Sequence, residues 1–400
     1  MNLLDGSSRD RGQRAMRELT AHRRVIVTVG SGGVGKTTTA AALGLLGALL
    51  GRRTLVITID PARRLANALG LDVLSHAPQC IDEHVMGGVV PQRAGSLSAM
   101  MLDPKAAWDD MLLRTAPDEA TARKIFENRF YETLSRDLPG TFEFIACECL
   151  HRLASSGDWD LVVLDTPPTA NAIDFLDAPG RILGVLDNDA FRAVASKKES
   201  LGLRFLDGAA GRAQSVLARF TGGEIIEEIG ELIVLLRDLY APLTERIRAL
   251  DELMHGENTA FVIVSSPEAR ALTEATRFVD ELARRKLPLG ALVLNRLTPS
   301  PTAALELVDS KGWESELQTG GLRGPELASL RSAIEKAIRQ QDELAALDRA
   351  HIEAALPPLP ESVPVVAVPR LTVDVRDVRR LGEIVEALSW EAPLKDVHSG

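Results

Sequence analysis

Cysteine is scarce in this chain: only Cys80, Cys147 and Cys149 occur in 400 residues. Three unevenly placed thiols make no disulfide framework, and no C-x-x-C pair is present to hold zinc, so a reducing cytoplasm is the expected setting. Cys147 and Cys149 stand two apart, on opposite faces of a predicted helix, a spacing that suits packing better than shared ligation. None of the seven histidines forms a ligand cluster with them, so no structural metal site is expected. Long apolar runs are also missing. The longest, around residues 40–50, belongs to a helix discussed below, and the first twenty-odd residues are polar without an apolar signal core. Neither a secretory signal nor a membrane span is expected. Basic blocks are absent too: 46 Lys and Arg against 56 Asp and Glu give a net charge of −10, which disfavours nonspecific binding to nucleic acid or anionic membranes.

What is present suits a large folded core, with 45% of residues hydrophobic. Short β-branched runs recur at 25–29, 54–59, 161–165, 260–265, 291–295 and 363–368, with helical patterns between most of them. That alternation predicts an α/β fold with a mainly parallel, doubly wound sheet and helices on both faces. Strand signals vanish over about 105–135 and 182–255, which read as a helical subdomain inserted into a main domain spanning 23–390, with tails at 1–22 and 391–400. Within the second stretch Ile225, Ile229, Leu232, Ile233, Leu236, Leu239 and Tyr240 make a wide apolar stripe, either internal core or a groove for a partner helix. Further helices are expected at about 325–355 and 378–388.

The most informative stretch is 25–43, VIVTVGSGGVGKTTTAAAL, where a β-branched strand runs into Gly30-x-x-x-x-Gly35-Lys36-Thr37 and then an alanine-rich helix. It reads as a P-loop of the NTPase type. Glycines at 30, 32, 33 and 35 allow the loop Gly30, Ser31, Gly32, Gly33, Val34, Gly35, Lys36, Thr37, Thr38 to curl its N–H groups into one phosphate-binding concavity. Lys36 is placed to reach the β- and γ-phosphates of ATP, and the Thr37 hydroxyl to take one position around Mg²⁺. An ordinary glycine-rich turn is the alternative, disfavoured by the strand before and the helix after.

Two acidic strand ends accompany the loop. Asp60-Pro61-Ala62-Arg63 follows the second strand, at the sheet edge where open α/β folds bind ligands, and Asp60 could orient the attacking water. The same carboxylate before Pro61 also suits a helix start. Asp165 closes another strand and would serve the outer shell of Mg²⁺, while Thr166, Pro167, Pro168, Thr169 and Asn171 make a second switch that senses the γ-phosphate. Asp60 and Lys36 are the candidate catalytic residues.

GSGGVGKTT at 30–38, DPARRLANALG at 60–70, DLPGTFE at 137–143, DTPPT at 165–169, VSSPEARALTEATRFVDEL at 264–282, LVLNRL at 292–297 and VAVPRL at 366–371 resemble, in that order, the ArsA-type ATPases, over about residues 24–388. This group of deviant P-loop NTPases includes the arsenite-pump ATPase and the ATPase that guides tail-anchored membrane proteins, and the resemblance is to its bacterial branch. It implies a cytoplasmic Mg-ATP hydrolase whose nucleotide cycle switches a helical subdomain binding a protein client. The alternatives are the energising subunit of an anion transporter and a nucleotide-dependent scaffold with little hydrolysis. By resemblance Asp60 is the water-orienting aspartate, Glu268 contacts nucleotide, Asn295 reads adenine and Pro369 flanks it. The family's lysine after the first P-loop glycine, donated across a dimer, is replaced by Ser31. This implies a dimer, either a heterodimer with a lysine-bearing paralogue or a homodimer in which another cation such as Arg63 or Arg64 takes the lysine's place. No zinc site follows, because the stretch after Asn295 has no cysteine.

Overall fold

Aliphatic runs without alternating polar residues need cover on both faces, and they form the centre of the sheet. The computed structural model of the chain describes residues 6–60, 63–82, 95–128, 131, 141–166, 177, 180, 239–301, 313, 319 and 324–389. Among them eight strands form one sheet: β1 (Val25–Gly30), β2 (Arg53–Thr58), β3 (Gln79–Cys80), β4 (Ser96–Met101), β5 (Leu161–Asp165), β6 (Thr259–Ser265), β7 (Leu289–Leu297) and β8 (Val365–Pro369). Their order is β3-β4-β2-β5-β1-β6-β7-β8. Every neighbouring pair is parallel except the short β3 against β4.

Strand residues alternate between two cores, as the period of two requires. Val25, Val27 and Val29 face one, packed with Phe144, Leu250 and Leu272; Ile26 faces the other with Met16, Leu43 and Leu381. The first core is covered by α6 (Thr141–Ser155), α7 (Tyr240–His255) and α8 (Ala269–Arg285), with contributions from α4 (Pro104–Thr115) and α9 (Gly324–Ala355). The second is covered by α1 (Gly6–His22), α2 (Lys36–Leu49), α3 (Arg64–Ala68) and α10 (Val378–Leu388). α2 can lie close to the sheet because Gly44 faces it: a Cβ there would fall 2.3 Å from Val56 Cγ2. α5 (Glu119–Glu127) joins α4 through a small cluster of Leu112, Ile125, Tyr131 and Leu239.

The connection after β1 runs toward β2 on one side, and that after its neighbour β6 runs toward β7 on the other. This reversal makes the crevice at the carboxyl end of β1 the place where an open sheet binds ligands.

The fold differs from the sequence reading in two places. β3 and β4 were not expected, because Ser96–Met101 has no β-branched residue and β3 is only two residues long. Residues 1–22, expected as a tail, contain α1, which buries Met16 and Leu19 and sends Gln13 Nε2 to the Ala387 carbonyl at 3.0 Å. The stretch at 105–135 shows α4 and α5, whereas 182–238 of the second helical stretch, with most of its apolar stripe, lies outside the described residues, as do Asn171 and the 391–400 tail. Cys147 and Cys149 are both buried in α6, where loss of hydration pushes their thiols up, to about 11 for Cys149. No helix among the described residues is long and apolar enough to cross a membrane.

Candidate active site

Parallel pairing sets the level of the site. Asp165, the last residue of β5, stands opposite Thr28 of β1 and Thr58 of β2. Thr58 Oγ1 donates to Asp165 Oδ2 at 3.0 Å and accepts the Asp60 N–H at 3.2 Å, so one hydroxyl joins the two acidic strand ends. Thr166 Oγ1 donates to the Thr28 carbonyl at 2.7 Å, fixing the start of the next segment over β1.

Asp165 is fully buried. Burial pushes its carboxyl up to about 6, against the opposing pull of the Thr37 and Thr58 hydroxyls and the Lys36 ammonium. Thr37 stands near enough to act on it yet leaves Oδ1 without a hydrogen-bond partner. An orphaned oxygen on a buried carboxylate is a site that a cation would satisfy.

The glycine-rich loop is held from two sides. Gly30, Gly33 and Gly35 adopt φ of 155°, 81° and 97°, and a Cβ would fall 2.1 Å from the Val264 carbonyl oxygen at Gly30 and 2.2 Å from Asn295 Nδ2 at Gly35. Other residues would strain the backbone at all three and, at Gly30 and Gly35, collide with β6 or β7. Asn295 spends both ends of its amide locally: Nδ2 donates to the Val34 carbonyl at 2.8 Å and Oδ1 accepts the Arg296 N–H at 2.9 Å. Lys36 is buried, and its Nζ donates to the Gly30 and Ser31 carbonyls at 3.0 and 2.9 Å. Burial lowers its pKa, with Asp165 opposing.

Several of these groups border one open cavity of about 850 Å³. Gly33, Gly35, Lys36, Thr37 and Thr38 line it from the loop, Asp60, Arg64 and Asn67 from the end of β2 onward, Thr166 from the end of β5, and Arg296 with Asp374, Val375 and Arg376 from the opposite side. The volume falls within the range of small-molecule sites.

The anion-transporting ATPase family matches residues 23–316. The chain belongs to that ArsA-type family. It is similar to "ATPase get3" of Aspergillus terreus, 27% identical over 277 residues that cover 68% of this chain and 73% of that one. Similar likenesses hold for "ATPase GET3" of Chaetomium globosum, 27% identical over 76% of this chain and 82% of that one, and for "ATPase ASNA1 homolog 2" of Paramecium tetraurelia, 26% identical over 67% and 74%. The expected bacterial branch is not borne out by relatives from these organisms. The chain is an ATPase, and nucleotide binding follows from that.

In this ArsA-type ATPase the expected residues do not all converge. Lys36, Thr37, Thr38, Gly33, Gly35, Asp60 and Thr166 border the cavity, with Asp165 beneath it. Gly30, Ser31, Gly32, Val34 and Arg63 do not line it, nor does Glu268, exposed at the start of α8. Pro369 ends β8 opposite Leu297, and Asn295 braces the loop from behind. Pro61, Ala62, Pro167, Pro168, Thr169 and Asn171 lie outside the described residues. Sequence reasoning missed Arg296, Asp374, Val375 and Arg376. Arg296 sits within β7 at a register shift against β8 with φ of 61°, a left-handed residue that interrupts the pairing of the two strands. Its signal was its place at the carboxyl end of a strand, the same signal that picked out Asp60.

Proposed function

We infer that this cavity binds and hydrolyses Mg-ATP, and that the hydrolytic cycle changes the helices around it to control a protein client. The observation that carries the reading is the Thr58 hydroxyl, which ties the Asp60 backbone to the Asp165 carboxylate directly beside the lysine of the glycine-rich loop.

In this reading Lys36 exchanges its two carbonyl partners for β- and γ-phosphate oxygens, and the loop N–H groups hold the remaining ones. Thr37 and the unpartnered Oδ1 of Asp165 fit a divalent cation, with Asp165 acting through water. Bound there, Mg²⁺ supplies charge neutralisation to the phosphates. Asp60 orients a water whose oxygen bonds to the γ-phosphorus as the bridging P–O bond breaks; the electron pair leaves on ADP and the proton departs with phosphate. Residues 61–63 and 165–171 act as switches, and the helices of 105–135 and 182–255 as the part that reads them. α4 supports this assignment, since its Trp108 packs on Phe144 of α6, which leads into β5 and Asp165. Glu268, Asn295 and Pro369 are proposed nucleotide contacts by resemblance, as is dimeric assembly with a second copy or a lysine-bearing paralogue; native mass spectrometry distinguishes the two. Client binding of the tail-anchored kind comes only from the resemblance.

Hydrogen exchange on the wild type and Lys36→Ala, each with and without Mg-ATP, tests the reading. ATP is expected to protect 30–38 and to alter exchange in both helical stretches of the wild type. In Lys36→Ala the affinity falls about tenfold or more, since a charged donor to phosphate is lost, and these changes disappear. Equal affinity in the two proteins, or protection confined to 30–38, defeats it.

A further inference from the structure

Positive charge is needed where the γ-phosphoryl group parts from ADP, and residues 30–38 contain one cation, Lys36. Among the described residues four basic side chains reach the cavity: Lys36, Arg64, Arg296 and Arg376. The sheet sorts them. Arg296 is part of β7 and Arg376 follows β8, whereas Arg64 follows β2 on the other side of β1. β2 and β7 stand four strand spacings apart, about 19 Å. Asp60 also follows β2, and Asp165 ends β5 beside it, so Arg64 is the arginine at the phosphate end.

Its attachment suits a moving head on a fixed base. Arg64 opens α3, whose Leu65, Ala66 and Ala68 are buried, while its own side chain is 62% exposed. Nη1 lies 3.9 Å from Asp60 Oδ2, an ion pair too long and too wet to hold the guanidinium firmly. Arg64 already acts on the centre of the site: after burial and the opposing Asp165, it is the next influence on Lys36, and it pushes that pKa further down.

We propose that Arg64 leaves Asp60 when ATP enters and binds the γ-phosphoryl oxygens in the transition state, supplying from the same chain the charge that stabilises phosphoryl transfer. The planar fork of an arginine matches two phosphoryl oxygens at once. In the step itself the water oxygen bonds to the γ-phosphorus, the bridging P–O bond breaks with its electron pair going to ADP, and the water proton leaves with phosphate. Arg64 exchanges no atoms; it offsets charge on the oxygens in flight, and its departure frees one face of Asp60 for the water.

The proposal rests on the reading that ATP is hydrolysed here, and the test separates the two. Arg64→Ala and Arg64→Lys are compared with the wild type and Lys36→Ala, measuring affinity for a non-hydrolysable ATP analogue and kcat. The expected result for Arg64→Ala is analogue affinity near that of the wild type with kcat down about 10³-fold, partly restored by added guanidinium, and an intermediate kcat for Arg64→Lys. Turnover of Arg64→Ala within about threefold of wild type, or affinity falling in step with turnover, overturns the role of Arg64 while leaving the site's activity standing. Turnover indifferent to Lys36→Ala overturns the reading beneath it. If Arg64→Ala fails to fold, Arg64→Lys carries the test through its ratio of kcat loss to affinity loss.

Discussion

At the scale of single residues, the site depends on charges set at the edge of one cavity. Asp60 is the clearest case, because its N–H is fixed by Thr58 while its carboxylate borders the cavity. Asp60→Asn keeps that shape and removes the base-like oxygen. ATP binding should persist and turnover should fall by about 10²-fold or more, as calorimetry and a phosphate-release assay would show. Normal turnover would reduce Asp60 to a helix start. The glycine-rich loop, Lys36, Asp60 and Asp165 were legible because phosphate chemistry demands those residue types at that spacing. Asn295 entered by resemblance alone; its hydrogen bond to Val34 spans 261 positions, and no local pattern encodes it. Arg296 was legible only through its place at the end of a strand: its left-handed backbone arises from a register shift between two strands, which depends on pairing rather than on neighbours in sequence.

Among elements, three helices meet on one buried carboxylate. Glu148 of α6 is 3% exposed, and it pairs with Arg246 of α7 at 2.8 Å and with Arg114 of α4 at 3.8 Å. Removing one partner of a buried ion pair leaves the other charges stranded. Arg246 and Arg114 are each about one third exposed, so water recovers part of that loss. Glu148→Gln keeps the volume and should cost about 1–2 kcal/mol, read as a lower denaturant midpoint with an unchanged slope. Indifference to this substitution would mean that the three helices are held by apolar packing alone. Most central strands could be read from their aliphatic runs, whereas β4, built from SLSAMM, is a strand by virtue of its place beside β2. The same holds for α1, whose few apolar residues gave no stripe and whose burial comes from docking on α10 and β8. Tertiary context overrode local preference in both.

Over the whole molecule, the amino end of the sheet is fastened by charge as the carboxyl end is built for it. Arg53 at the start of β2 binds Asp160 just before β5, through its Nη2 at 2.8 Å and its backbone N–H at 2.9 Å, and these bonds hold the Asp160 carboxyl down at about 2. Since the folded value lies below the ordinary 3.8, this contribution is complete above pH about 4 and disappears as pH falls through about 2. Asp160→Asn should flatten stability across that window and cost about 1 kcal/mol or less at neutral pH, because both side chains are half exposed. Acid titrations of the two proteins that run parallel between pH 4 and 2 would refute it. The bond from Asn295 to the glycine-rich loop has a consequence for synthesis. A chain made from its amino end carries residues 30–38 early, but the brace that sets the Val34 carbonyl arrives 261 residues later with β7. A growing or truncated chain that lacks β7 therefore has the phosphate-binding letters without this brace on their geometry.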